Sequence, residues 1–123
     1  MGKLVHDDVL DGAWIVRKAA TKQVLCSQQP TTFAEANSTY ALAAVAVSSA
    51  DFTIANGDTN GRKVTTGAKS SVVIGTTGNG NHVAQVDGSR LLYVTTCTSQ
   101  DVVANGSNTV NFPAWDAEIA DPT

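Results

Sequence analysis

The chain has 123 residues, of which 42% are hydrophobic and 15% charged, with a net charge of -3. One domain of that length buries roughly two-thirds of the surface its unfolded chain exposes, so disorder is disfavoured and a core forms without staples. With 15 Val, 15 Thr and 4 Ile against 6 Leu and 2 Glu, a mainly helical fold is disfavoured, and strands joined by tight turns are expected. No apolar run approaches the roughly 20 residues that span a bilayer. The longest, Tyr40 to Val47, is eight residues of mostly Ala and Val. The opening, Met1 to Asp8, lacks the apolar core of a signal peptide, and His6 stands where a myristoylation signal needs Ser or Thr. Synthesis and folding in a cytoplasm are expected.

Residues 1–8 read as an arm. Asp7 or Asp8 is placed to cap a helix over residues 8–21, where acids suit the dipole. Val9, Leu10, Ala13 and Trp14 form its apolar stripe, and Arg17, Lys18 and Lys22 gather at its C-terminal end. Gly12 weakens it slightly. Residues 22–123 read as one β body, so the chain is one domain. Lys22 to Ser27 is a short strand stopped by Pro30. Thr32 to Glu35 fits a capping box with a helical turn through Asn37, and Tyr40 to Val47 reads as a strand.

From residue 51 the pattern is plainly β. Strands are expected over Asp51 to Ala55, Arg62 to Thr66, Ser70 to Ile74 and His82 to Val86. Two Asn-Gly pairs turn the loop from Asn56 to Gly61. Gly75 to Gly80 reads as a loop, and Asp87-Gly88 as a two-residue turn. Arg90 to Thr98 is the longest strand. Its alternation sets Leu92, Val94 and Thr96 on one face and Leu91, Tyr93, Thr95 and Cys97 on the other. Asn108 to Phe112 and Trp115 to Ile119 close the chain, broken by Pro113. About eight short antiparallel strands with turn signals every 8–12 residues and one N-terminal α-helix predict a mainly β fold, a jelly roll or β-sandwich.

Reactive constellations are sparse. His6-Asp7-Asp8 is better explained as the start of a helix than as metal ligands. His82 reads as a hydrogen-bonded histidine. Ser48, Ser71 and Ser89 lack a nucleophile-elbow context. Cys26 and Cys97 match no metal or redox spacing and read as reduced, packed thiols. Glu35 and Glu118 have structural explanations, a cap and an outward strand residue, and Asp58, Asp87 and Asp101 sit in or beside turns. The glycine-rich loops match no phosphate-binding motif. The expectation is a protein without catalytic residues, cofactor or metal. Arg17-Lys18 and Arg62-Lys63 are too small a basic stripe for nucleic acid. Residues 91–123 carry four acids and no base, a composition that suits docking on a basic protein surface and that more often simply keeps strands soluble.

Thr39-Tyr40-Ala41, Gly61-Arg62-Lys63-Val64, Leu91-Leu92-Tyr93 and Pro113-Ala114-Trp115 carry a resemblance. Around them the chain, over nearly its whole length, resembles a family of small structural proteins of tailed bacteriophages and prophages. The resemblance implies a capsid cement or decoration protein with a β-sandwich or jelly-roll body. Such a protein binds the outer surface of the major capsid protein shell and stabilises it. It also implies self-association as a homotrimer, and a place on the virion after synthesis in the bacterial host. Alternatives are a tail, neck or fibre component, or a carbohydrate- or receptor-binding module. The arm, the acidic C-terminal strand and the Arg62-Lys63 pair are the expected contacts: Lys3, Leu4, Val5, Arg62, Lys63, Trp115, Asp116 and Glu118.

Overall fold

Strand β1 (Lys22–Cys26) is buried on both faces, and the rest of the fold is arranged around it. The computed structural model describes residues 5–120. Strands β2 (Ala41–Ala46) and β6 (Gly78–Val86) flank β1, and β7 (Leu91–Val102) follows β6, giving an antiparallel sheet in the order β2-β1-β6-β7. A second antiparallel sheet has the order β3-β4-β9, from Phe52–Asn56, Arg62–Thr66 and Trp115–Ile119. Strands β5 (Lys69–Val73) and β8 (Thr109–Phe112) form a third, two-stranded sheet. The protein is thus mainly β, with nine strands among the described residues and one N-terminal α-helix.

The period-2 pattern explains the layers. On β1, Val24 and Cys26 face one way and pack with Ala84, Val86 and Ala36, the last from a π-helical turn at Glu35–Thr39. Gln23 and Leu25 face the other way. There Leu25 and Val83 pack against Val72, Ile74 and Phe112 of the small sheet and its flank. Further along, Gln23 and Gln85 meet Thr66 and Trp115 of the second sheet. The layers are therefore sandwich-like. Each fully buried Leu or Val contributes about 1.5–3 kcal/mol.

Helix α1 spans Asp7–Arg17, not 8–21. Its last bonds tighten to i→i+3, from Ala19 to Val16 and from Ala20 to Arg17. Ala20 then enters the core beside Val47 and Phe52, and Thr21 donates to the Val86 carbonyl, so the chain has already joined the sheet. The N-cap is His6, whose Nδ1 accepts from the Asp8 amide at 3.1 Å, rather than Asp7 or Asp8. The apolar stripe is also different: Leu10, Trp14 and Arg17 are buried, whereas Val9 and Ala13 are exposed.

The capping-box reading is close. Thr32 Oγ1 accepts from the Glu35 amide, while the Glu35 carboxylate takes the amide and hydroxyl of Thr31. Gly78 to Gly80, expected in a loop, belong to β6. A Cβ on Gly80 would lie 2.6 Å from Leu25 Cδ2, so glycine there lets the Leu25 side chain pack against the strand. The turn after β6 is held by Asp87, whose Oδ1 accepts the amides of Ser89 and Arg90. A bulge beside Val86 breaks the alternation expected for β7. Leu91 accordingly packs with Val94 on the Val24 side, and Leu92 packs in the Trp14–Phe52–Val64 cluster.

Candidate interaction surface

Strand β9 alternates cleanly. Trp115, Ala117 and Ile119 face inward, and Asp116 and Glu118 face outward. Its inner neighbour β4 pairs Lys63 with Glu118 and Arg62 with Ile119. The outer face of this pair is a charge cluster. Lys63 Nζ lies 2.8 Å from Asp58 and 3.8 Å from Asp116, and Glu118 accepts from the Asp58 amide at 2.7 Å. One cation against three acids leaves a local charge of -2 (1 - 3). The hydrogen bond to Asp58 raises the Lys63 pKa, and Lys63 in turn holds the Asp58 carboxyl below its ordinary value.

Arg62 is committed elsewhere. Its Nε and Nη2 grip Asp11 of α1 at 2.8 and 3.2 Å, Nη1 donates to Asn56, and Asp7 lies at 3.8 Å. The bond to Asp11 raises its pKa. Of the expected contacts, then, Arg62 fastens the helix to β4, while Asp116 and Glu118 hold an acidic outer face. Val5 lies just before the His6 cap and is half-buried. Lys3 and Leu4 lie outside the described residues.

Beside β9 runs an apolar groove. Its two adjoining parts, about 210 and 300 Å³, share Val83, Cys97, Phe112 and Pro113. One wall is β7 from Thr95 to Cys97, the other the corner from Phe112 to Asp116. Among the described residues neither β7 nor β9 has a hydrogen-bonded strand neighbour on its outer side. The groove therefore lies between two free strand edges, the backbone arrangement that accepts another extended segment.

Trp115 is fixed from behind by a residue that sequence reasoning placed at a helix terminus. Arg17 is only 3% exposed. Its guanidinium lies 3.9 Å from the Tyr93 ring centroid, 4.5 Å from Trp115 and 5.7 Å from Trp14. Nε donates to Gln85 Oε1 at 2.6 Å, and Nη2 reaches Thr66 Oγ1 at 3.4 Å. Gln85 Nε2 passes the network on to Gln23 Oε1, which also accepts from the Trp115 indole. The cluster is donor-rich: Arg17 Nη1 and Gln23 Nε2 are buried without an acceptor among the described residues. No described carboxylate forms an ion pair with Arg17, so the ring faces supply its negative potential. Burial pushes the Arg17 pKa down to about 10, and the neighbouring Tyr93 phenol opposes that shift. The one sequence signal was that Arg17 falls three residues after Trp14 on the apolar face.

Cys26 and Cys97 are free thiols. His82 Nδ1 shares a hydrogen bond with Asn81 Oδ1 at 2.6 Å. Among the described residues no three His, Cys, Asp or Glu side chains gather as metal ligands, and no helix is long and apolar enough to cross a membrane. The chain matches no protein-family model, no curated protein and no solved structure.

Proposed function

We propose that the protein is a structural component of a tailed-bacteriophage virion, a cement or decoration subunit that lies on the outer surface of the major capsid protein shell. One observation carries this reading beyond the resemblance of the sequence. An acidic outer face on β4–β9 adjoins an apolar groove bordered by two strand edges that are unpaired among the described residues. That combination suits docking against a basic, extended segment of another protein. Bridging several coat subunits stabilises a shell because each contact raises the effective concentration of the next. The work needs a rigid body and a docking surface; it needs no reactive group, cofactor, nucleic acid or membrane. The assembly expected with it is a homotrimer. The aromatic residues favour this reading over a sugar-binding module, because Trp14, Tyr93 and Trp115 converge on Arg17 instead of forming an exposed stacking platform.

The test is stoichiometry. A tagged chain is expressed in the host that carries it, particles are purified, and copies per particle are counted by quantitative mass spectrometry. Hundreds of copies support the shell reading. Tens or fewer place the protein in the tail or neck, and absence from particles removes the virion reading altogether. The charge-reversed variant Asp116→Lys with Glu118→Lys is expected to lower occupancy at least tenfold while the protein stays folded.

A further inference from the structure

Six strands run almost all the way round one apolar interior. The four-stranded sheet, in the order β7-β6-β1-β2, meets the two-stranded sheet at a bridge between Ala43 and Ile74, where the Gly75 and Thr76 amides also donate to the Leu42 carbonyl. The order therefore continues from β2 to β5 and on to β8. Each of the six sends a side chain inward: Leu25, Leu42, Val72, Val83, Val102 and Phe112 belong to one buried cluster. Such a ring closes when its first and last strands pair. Among the described residues β7 and β8 do not pair, and the apolar groove lies in the gap between them.

This seam is shaped like the place of one more strand. Its lining takes consecutive residues from each side, Thr95 to Thr98 on β7 and Val110 to Pro113 on β8 and its continuation. Side chains of a strand alternate between faces, so consecutive residues meet one groove only along the strand's edge. The cause of the gap is on β7. Between the pairs Gly80–Gln100 and His82–Thr96 it advances four residues while β6 advances two. A strand bulged in this way bends, here out of line with β8. Apart from that bulge nothing blunts the edge: Thr95 to Gln100 carries no Lys, no Pro and no charge.

Volume and charge decide the occupant. The two parts of the groove, about 210 and 300 Å³, lie at or below the lower end of the roughly 300–1,000 Å³ of small-molecule pockets. An extended chain needs less width and uses the free backbone groups. Asp116 is the one charged residue along the groove among the described residues, and Lys63, Asp58 and Glu118 beyond it complete the cluster of net charge -2. We propose that the seam receives one extended segment of another protein as a seventh strand. Small aliphatic side chains at alternate positions of that segment lie on the floor of Leu25, Val83 and Phe112, and a Lys or Arg stands at the end beside Asp116. The inference rests on the docking reading above for the kind of partner and adds how the partner is held. Backbone hydrogen bonds to the edges supply affinity, and the alternate side chains supply specificity. The expected homotrimer forms through other surfaces.

The test uses the whole chain and a capped seven-residue peptide in which three valines alternate with serines after a leading lysine. Titration calorimetry should show saturable one-to-one binding within a range up to about 1 mM, the weak end of specific recognition. Saturation should slow thiol labelling of Cys97, which lines both parts of the groove, at least tenfold. Asp116→Lys should weaken the peptide about tenfold and favour its counterpart with a leading glutamate. Methylation of the peptide's backbone nitrogens should abolish binding. Full binding by the methylated peptide, unchanged Cys97 labelling at saturation, or no binding at all overturns the proposal. So does an oligomer of the chain that the peptide takes apart, because a second copy then fills the seam. No particle enters this test, so its failure leaves the shell reading to be decided by copy number alone.

Discussion

Arg17 Nε donates to Gln85 Oε1 at 2.6 Å, and through that bond the last turn of α1 is tied to the middle of the four-stranded sheet. Both side chains are buried, and neither has a described charged partner of opposite sign. The guanidinium is held instead by amide oxygen and ring faces. Its planar shape lets it lie against Tyr93 and Trp115 while its edge donates.

Arg17→Met keeps the apolar stem but leaves Gln85 Oε1 without its donor. An orphaned buried acceptor costs about 1–3 kcal/mol, and loss of the ring contacts adds to that. Adding Gln85→Met should not recover the loss, because Gln85 Nε2 also donates to Gln23 Oε1 and Thr66 Oγ1, and the double variant leaves Thr66 Oγ1 without either donor. Arg17→Lys should also destabilise, since an ammonium has neither the fork nor the flat face. Urea unfolding measures all three, and a fully stable Arg17→Lys would show that charge alone suffices.

Gly61 and Gly106 both have positive φ, 73° and 86°. At Gly61 a Cβ would lie 1.9 Å from the Ile119 carbonyl oxygen, whereas at Gly106 it meets nothing. Gly106→Ala should therefore cost only the left-handed conformation, about 1–2 kcal/mol. Gly61→Ala should cost more than that, because β4 and β9 must separate to admit the methyl group. Thermal unfolding of the two variants gives the order.

Lys69 and the Ser48 amide hold the Asp51 carboxyl below its usual value, and the Ser89 amide and Arg90 do the same at Asp87. A depressed carboxyl favours the folded state above its unfolded pKa of about 3.9 and loses that advantage as pH falls through the folded value. Asp51→Asn and Asp87→Asn should thus unfold at lower urea than the parent at pH 7. The gap should shrink below pH 4 and close as the parent's carboxyls protonate. A gap that persists at pH 2 would assign the effect to geometry instead of charge.

Burial, with Cys97 nearby, pushes the Cys26 thiol up to about 11, and burial raises Cys97 as well. Thiolate is the reactive form, so both should be sluggish toward a thiol reagent at pH 8. Cys97, on the groove wall, is expected to react first. Cys26 is expected to react only with global unfolding. Counting modified thiols against urea concentration checks the order, and rapid labelling of Cys26 in the native protein would contradict it.

Much of the architecture was legible locally. Strand β4 could be read from its β-branched run after the Asn60-Gly61 turn, β9 from alternation after Pro113, and α1 from the spacing of Leu10 and Trp14. The outward acids Asp116 and Glu118 followed from the same alternation. The extent of α1 was not legible, because Ala20 leaves the helix to fill a space made by Val47 and Phe52, far along the chain. Nor was the placement of Leu91 and Leu92, which depends on a bulge set by pairing with β6.

Composition and periodicity thus determined by themselves that the chain builds short antiparallel strands around one docked helix. Those preferences act over two to four residues, so a single sequence displays them. Only the tertiary structure decided that Arg17 is buried among three rings and that Arg62 binds α1 instead of an outside surface. It alone decided that β7 and β9 are left as edges around one groove. Arg17 meets Tyr93 and Trp115 across 76 and 98 positions, Arg62 meets Asp11 across 51, and the two edges are set by which strands pair in each sheet, so no local period carries the information.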